Sequence, residues 1–135
     1  MAERAPIPVV LAILTDRGRV FMMKRPKSKP LAGQWEFPGG KVEVGEEPVA
    51  GLRRELREEV GLRVGRLALF GAYSHVYELP EGAVHYVLLA YRAGARDGAW
   101  SRKGRWMDAR TLAAANVVDG SRPIVRQLLE SRLVR

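Results

Sequence analysis

The feature that most restricts how this chain can fold is an amphipathic helix predicted over residues 46–60. Its apolar residues recur at spacings of three and four, which places them on one face of a helix: Val49, Leu52, Leu56 and Val60. Two glutamates at its start, Pro48 in its first turn and Gly61 after its last turn are typical of helix boundaries. The fold must therefore bury one side of this helix and leave the other side to polar residues.

Strands are predicted before this helix. A continuous apolar run over residues 8–14, a turn over residues 16–18 and a second apolar run over residues 20–23 predict a buried β-hairpin. Residues 24–33 contain several basic residues and two prolines, which favours an exposed loop, and extended chain is expected to resume over residues 35–37. This loop lies shortly before the predicted helix.

The region after the helix combines strands with two further helices. Residues 67–77 and 83–92 are rich in aromatic and aliphatic residues on either side of a turn, so they predict a second antiparallel pair. A short strand is expected over residues 105–107. Helices are expected over residues 108–115 and 122–133, the last with three inward-facing residues: Ile124, Leu128 and Leu129. This order of elements indicates an α/β (α+β) protein.

Composition limits the class of protein. With 135 residues, of which 47% are hydrophobic, the chain is expected to form a single domain over residues 1–135. The absence of cysteine excludes disulfides, thiolate metal sites and a cysteine nucleophile, and it favours a cytoplasmic location. The longest apolar stretch, residues 7–14, is far shorter than the roughly 20 residues that span a bilayer, so no membrane partner is expected.

The charge of the chain is strongly positive. The formal net charge is +8, from 23 Lys and Arg against 15 Asp and Glu, so the average field attracts polyanions such as nucleotides or nucleic acid. GC-rich genomes also enrich arginine, and the sign of the charge reports steering rather than recognition. Composition therefore favours an anionic partner without identifying it.

Three glutamates stand together on the predicted helix. Glu55, Glu58 and Glu59 are spaced i, i+3 and i+4, so they share a face opposite the apolar one. Their mutual repulsion would be relieved by a divalent cation, and hard oxygen ligands suit Mg²⁺ or Mn²⁺ together with substrate phosphates. A solvated acidic face is the alternative interpretation. Gly39 and Gly40 before the helix, and Arg54 beside Glu55, favour a site.

The segment over residues 40–62 carries a specific resemblance. Gly40 is followed after five residues by Glu46, and after seven more by Arg54-Glu55-Leu56-Arg57-Glu58-Glu59-Val60-Gly61-Leu62. This pattern resembles the Nudix box, G-x5-E-x7-R-E-U-x-E-E-x-G-U with U aliphatic, at every fixed position. The resemblance implies an α/β/α sandwich around a central mixed sheet, and a hydrolase that cleaves phosphoric anhydride bonds in nucleoside diphosphate compounds.

The same resemblance implies roles for individual residues. The carbonyl of Gly40 and the carboxylates of Glu55, Glu58 and Glu59 look like ligands for Mg²⁺, with Mn²⁺ as a substitute. Arg54 and Glu46 would hold the loop and helix in place. Such a cation would neutralise the diphosphate and favour deprotonation of water. A box glutamate would act as the base, and Glu58 is the preferred candidate.

Residues before the box indicate a substrate class. Residues 35–43 resemble the approach to the box in MutT-type members, which convert a nucleoside triphosphate to its monophosphate and pyrophosphate. The resemblance leaves open whether 8-oxo-dGTP is preferred, because residues 119–123 lack the asparagine with which MutT reads the oxidised purine. A further carboxylate often precedes the later tryptophan in the family. Here Trp106 follows basic residues and a glycine, with Asp97 as a weak substitute.

Two alternatives remain open at this point. Residues 74–77, 85–89 and 116–118 are similar to parts of GDP-mannose hydrolases of the same superfamily, which act on nucleotide sugars. The complete box favours triphosphate hydrolysis, since that subgroup usually carries an altered box; an ADP-ribose type of substrate is a further variant. A noncatalytic nucleotide or RNA sensor is the second class, but the intact set of carboxylates argues against it.

Candidate substrate contacts lie outside the box. We expect Trp35, Phe37, Arg25 and His85 to bind the nucleotide, Trp35 and Phe37 by base stacking. Core packing is the alternative for both aromatics, and a hydrogen-bonded structural role is the alternative for His85. The expected partner is a small nucleotide. Nucleic acid is not expected, with RNA as the exception left open, and the chain is compatible with a monomer or a homodimer.

Overall fold

A computed structural model describes residues 5–61, 64–95 and 104–135 of the chain. The elements, in chain order, are β1 (Ile7–Asp16), β2 (Arg19–Lys24), β3 (Trp35–Glu36), β4 (Gly39–Lys41), α1 (Pro48–Val60), β5 (Ala68–Leu79), β6 (Gly82–Gly94), β7 (Gly104–Met107), α2 (Ala109–Ala114), a 3₁₀ turn (Asp119–Ser121) and α3 (Arg122–Glu130). Both predicted hairpins and the short strand at residues 105–107 are confirmed. Leu62, the last position of the box, and Asp97 lie outside the described residues.

The strands form one mixed sheet. Its order is β3-β2-β1-β6-β5, with β4 also paired to β1 and β7 also paired to β2. β1 and β6 are parallel from Ile7↔Tyr86 to Thr15↔Gly94, and the other pairs are antiparallel. A parallel pair cannot be joined by a tight turn, so the chain between β1 and β6 has to leave the sheet and return. That excursion contains the loop, β4 and α1.

Helices cover both faces of this sheet. On β1, Val10, Ala12 and Leu14 pack with α1, whose buried face consists of Gly51, Leu52, Leu56 and Val60. The alternate residues Leu11 and Ile13 pack on the other side with α2 and α3. Burial on both faces explains why β1 is continuously apolar. The α/β/α sandwich implied by the sequence is confirmed.

Two helix boundaries differ from the prediction by more than one residue. α1 begins at Pro48 rather than at residue 46, because Glu46 belongs to a tight loop in which its carboxylate accepts the backbone N–H of Glu43 at 2.9 Å. α3 ends at Glu130 rather than at residue 133, and Arg132 has a φ of 60° that turns the chain back. Val134 then packs into the core, while Leu129 is only half-buried.

β4 brings the start of the box against the sheet. Gly39 has a φ of 152°, and a Cβ on it would overlap the carbonyl oxygen of Val10 on β1. Only glycine tolerates both the torsion and the close approach. Gly40 pairs with Val10 and lies against the Glu55 side chain of α1. Of the helices within the described ranges, none has the length and apolar character needed to cross a membrane.

Candidate active site

Arg54 fastens the loop before α1 to the helix. Its Nε and Nη2 donate to the two carboxylate oxygens of Glu46 at 2.8 and 3.1 Å, and Nη2 also donates to the carbonyl of Lys41 at 3.3 Å. The bond from Arg54, with help from the backbone N–H of Glu43, lowers the pKa of Glu46 to about 2. A bidentate pair of this kind fixes orientation as well as charge. The loop and helix therefore behave as one unit.

The same guanidinium reaches two of the predicted metal ligands. Arg54 Nη1 donates to Glu55 Oε1 at 3.0 Å and to Glu58 Oε2 at 3.3 Å. Gly40 packs directly on the Glu55 carboxylate, since a Cβ at Gly40 would lie 2.5 Å from its carbon. The lack of a side chain at Gly40 therefore leaves its backbone next to a carboxylate.

Glu59 sits in an unusual electrostatic environment. Burial raises its pKa to about 8, and its hydrogen bond with Glu55 and the charges of Glu55 and Glu36 act in the same direction. Burial also raises the pKa of Glu36, against the opposing influence of Arg25, which pairs with it at 2.9 Å. A carboxyl group with a pKa of about 8 is mostly protonated near neutral pH, so Glu59 holds a proton beside the side chain of Glu55.

Glu36 was missed by the sequence reasoning. It lies on β3 between Trp35 and Phe37, and it lines the same cleft as the three box glutamates. A strongly polar residue between two aromatic strand residues was an available signal, because alternation in a strand points it away from its apolar neighbours.

The box carboxylates and the backbone carbonyl of Gly40 are hard oxygen donors, the type of ligand that suits a divalent cation such as Mg²⁺. Within residues 5–61, 64–95 and 104–135, no three Asp, Glu, His or Cys side chains converge closely enough to enclose an ion. The Glu58 side chain is 59% exposed and its carboxylate is directed toward Arg54. However, the raised pKa of Glu59 shows that positive charge is favoured at this carboxyl group, and Glu55 lies beside the backbone of Gly40. Glu58 would need to turn away from Arg54 to join them.

These residues lie at one end of an open cleft of about 980 Å³. That volume is sufficient for a nucleotide. We call the box residues that line it the acidic wall: Gly40, Glu55, Glu58 and Glu59. Four basic residues also line the cleft: Lys24, Arg25, Lys29 and Lys41.

An aromatic wall, made of Tyr77, Tyr86 and the adjoining 3₁₀ turn, forms another side of the cleft. The ring centroids of Tyr77 and Tyr86 are 6.0 Å apart. The hydroxyl of Tyr77 accepts the backbone N–H of Gly120 at 2.7 Å, and a Cβ on Gly120 would lie 2.7 Å from that oxygen. This bond ties the 3₁₀ turn to β5. No sequence signal predicted it, since the two residues are 43 positions apart.

The structure places two of the four predicted substrate contacts in the lining of the cleft and two outside it. Arg25 and Phe37 line the cleft, although Phe37 is only 1% exposed and forms part of the core. Trp35 packs against the core with Lys24 Nζ 5.8 Å from its ring centre, and it is outside the cleft lining. His85 pairs with Val76, and strand alternation places it on the face opposite Tyr86.

Comparison with known proteins identifies the family of this chain. The family model of the NUDIX domain matches residues 5–128. The 8-oxo-dGTP diphosphatase of Escherichia coli (strain K12) is 30% identical over 118 residues, which cover 86% of this chain and 90% of that protein. The CTP pyrophosphohydrolase of the same organism is 42% identical over 81 residues, covering 58% of this chain and 57% of that protein.

Solved structures give the same result. The crystal structure of a MutT NUDIX hydrolase from Burkholderia pseudomallei superimposes with a TM-score of 0.78 at 27% sequence identity. The match covers 93% of this chain and 99% of that one.

Proposed function

We propose a function from one premise: this chain belongs to the NUDIX domain family. It is a Nudix hydrolase, an enzyme of phosphoric anhydride bonds. The finer proposal is a Mg²⁺-dependent conversion of a nucleoside triphosphate to its monophosphate and pyrophosphate, by a single domain over residues 1–135. The observation that carries it is the group of box glutamates that lines a cleft of nucleotide size, with Glu55 held between Arg54 and the backbone of Gly40.

The acidic wall is the proposed metal site. The carbonyl of Gly40 and the carboxylates of Glu55, Glu58 and Glu59 would hold Mg²⁺, or Mn²⁺ in its place. Such an ion supplies charge neutralisation of the phosphates and favours deprotonation of water. Arg54 holds Glu55 and the loop in position through the bonds described above.

Glu58 is the proposed general base. Its carboxylate is the most exposed of those that Arg54 contacts within the box helix, and its bond to Arg54 is longer than the bond from Arg54 to Glu55. A base has to reach water and then release its proton, so a loosely held carboxylate at the cleft suits that role. Glu59 has a pKa raised to about 8, so it is already mostly protonated near neutral pH and suits a ligand better than a base.

A triphosphate substrate is favoured by the cleft and by the relatives. Two similar proteins are named for 8-oxo-dGTP and CTP as substrates. Four basic side chains line the same cleft as the acidic wall. Tyr77 and Tyr86 also line it and offer rings on which a nucleobase can stack. A preference for the oxidised purine is not proposed, because residues 119–123 contain no asparagine side chain to read it. Asp119 in this segment is instead paired with Arg122 at 2.8 Å.

A substrate panel tests this proposal. Purified protein would be incubated with the common nucleoside triphosphates, GDP-mannose and ADP-ribose, in Mg²⁺, Mn²⁺ or EDTA, and the products identified by chromatography. We expect a nucleoside monophosphate and pyrophosphate from at least one triphosphate, and no turnover in EDTA. Faster turnover of a nucleotide sugar would replace the proposed substrate class, and tight nucleotide binding without turnover would favour the sensor.

A variant pair ties the activity to the acidic wall. Glu59→Gln removes a proposed ligand, and Glu47→Gln changes an exposed glutamate just before α1 whose side chain makes no capping bond. Turnover should be lost in the first variant and retained in the second. Equal activity in both variants would disprove the assigned metal site.

A further inference from the structure

The basic side chains that line the cleft differ in whether they already interact with other residues of the protein. Arg25 is committed, because Nη1 pairs with Glu36 at 2.9 Å and Nε donates to the carbonyl of Pro30 at 2.7 Å. Lys24 lies over the ring of Trp35. The ammonium groups of Lys29 and Lys41, by contrast, make no hydrogen bond, ion pair or ring contact with any residue in the described part of the chain, and only Lys29 belongs to the loop before the box. Lys29 therefore presents an unneutralised charge to the cleft.

The backbone that carries Lys29 is held in place. Its N–H donates to the carbonyl of Pro26 at 3.2 Å, which closes a turn, and the next carbonyl, that of Pro30, accepts from Arg25. Because Arg25 is also paired with Glu36 on β3, this turn is anchored to the sheet beside the acidic wall. A lysine on an anchored turn loses less freedom on binding a ligand than one on a loose loop.

Lys29 lines the same cleft as Glu36 and Glu59, and its charge acts on both carboxyl groups. Its charge lowers the pKa of both Glu36 and Glu59, against the larger effect of burial. No ion pair forms, so the ammonium acts on these carboxylates from beyond contact distance. Lys29 therefore lines the cleft that a phosphate chain bound at the acidic wall would occupy.

We propose that Lys29 binds the terminal phosphate of the substrate and thereby selects nucleoside triphosphates over nucleotide sugars. This inference rests on the proposed function and deepens it. A triphosphate ends in a phosphate whose charge a nucleotide sugar lacks, because the sugar is esterified at that position. A free ammonium on a held turn offers a point charge and three donors to that group.

The loop contains its own control. Lys27 is an exposed lysine two positions away, but it is outside the lining of the cleft. Lys27→Ala removes the same charge from the same loop without touching the proposed contact. Lys29→Arg keeps the charge, so it serves as the rescue variant.

The test compares Lys29→Ala with Lys27→Ala in two measurements. In kinetics, Lys29→Ala should raise KM for the preferred triphosphate by about tenfold with little change in kcat, since one charge-assisted hydrogen bond is lost. The same variant should leave KM for GDP-mannose or ADP-ribose within about twofold, and Lys29→Arg should recover most of the loss. Lys27→Ala should behave like the wild type. An equal loss on both substrate classes, or none on either, would overturn the inference.

Calorimetric binding of inorganic tripolyphosphate in Mg²⁺ gives a readout that does not depend on turnover. Lys29→Ala should weaken this binding about tenfold relative to Lys27→Ala. An active wild type with equal tripolyphosphate affinity in the two variants would refute the role of Lys29 alone. A wild type that hydrolyses no triphosphate would refute the proposed function, while the binding comparison would still decide whether Lys29 contacts phosphate.

Discussion

The acidic wall and the aromatic wall of the cleft are held together over very different distances along the chain. The acidic wall is organised by contacts within one segment, such as the pair of Arg54 with Glu46 eight residues away. The aromatic wall depends on the bond between Gly120 and Tyr77, 43 residues apart. A motif of fixed spacing can therefore predict the first wall, whereas the second forms only when the sheet has assembled. We expect the acidic wall to perform the chemistry and the aromatic wall to bind the nucleobase of the substrate.

The largest loss of activity is expected when Glu58, the proposed general base on the acidic wall, is changed. Glu58→Gln keeps the shape of the side chain but removes its ability to accept a proton at neutral pH. We expect kcat to fall by about a thousandfold with a small change in KM, the range typical of general-base loss. Steady-state kinetics on the preferred triphosphate measures this. If KM rose while kcat held, Glu58 would be a binding residue and not the base.

A smaller effect is expected where the acidic wall is positioned. Arg54→Gln removes the bidentate pair with Glu46 and the bond to Glu55. Displacement of the loop and of one carboxylate should lower kcat/KM by about a hundredfold, because small misplacements of reacting groups have effects of that size. The matched control is Arg57→Gln, an exposed change on the same helix. Similar losses in both variants would point to general damage to α1.

On the aromatic wall, the effect should appear in KM. Tyr77→Phe removes the acceptor of the Gly120 N–H and frees the 3₁₀ turn from β5. KM should rise about fivefold with kcat nearly unchanged, as expected for the loss of one hydrogen bond that positions a binding surface. Tyr91→Phe, on β6 but facing α1, provides the control. A fall in kcat without a change in KM would contradict the division between the two walls.

The smallest effect concerns the pH dependence of stability without metal. The pKa of Glu59 is raised by burial from 4.5 to about 8 in the folded protein. The folded state therefore binds this proton more tightly than the unfolded state, and the associated stability is present below pH 4.5 and lost as pH rises toward 8. In EDTA, the melting temperature should fall between pH 5 and pH 8 more steeply for the wild type than for Glu59→Gln. Parallel curves for the two proteins would show that Glu59 is not the titrating group.

The parts of the fold that were predictable rest on local patterns. The helix stripe of Leu52, Leu56 and Val60 and the apolar run of β1 each report burial directly, and both were confirmed. The start of α1 was wrong by two residues, because Glu46 bonds to its own loop and to Arg54 instead of extending the helix. Helix propensity alone cannot report such competition between side-chain and helical hydrogen bonds.

The candidate site was predictable to a different extent on each wall. Spacing alone placed Glu55, Glu58 and Glu59 on one helix face. Tyr77 and Gly120 could not be paired from sequence, because their contact depends on how α3 and the 3₁₀ turn pack on the sheet. His85 precedes Tyr86, which lines the cleft, and adjacent strand residues point to opposite faces, so strand alternation indicates that the His85 side chain points away from the cleft.

One measurement tests the central claim most directly: the rate of nucleoside monophosphate and pyrophosphate formation from the preferred triphosphate as Mg²⁺ is titrated into metal-free protein. The wild type and Glu47→Gln should gain activity together along a saturating curve, while Glu59→Gln should remain inactive or require far more Mg²⁺. Turnover that persists in EDTA, or an unchanged Mg²⁺ curve for Glu59→Gln, would contradict the assignment of the acidic wall as the catalytic centre.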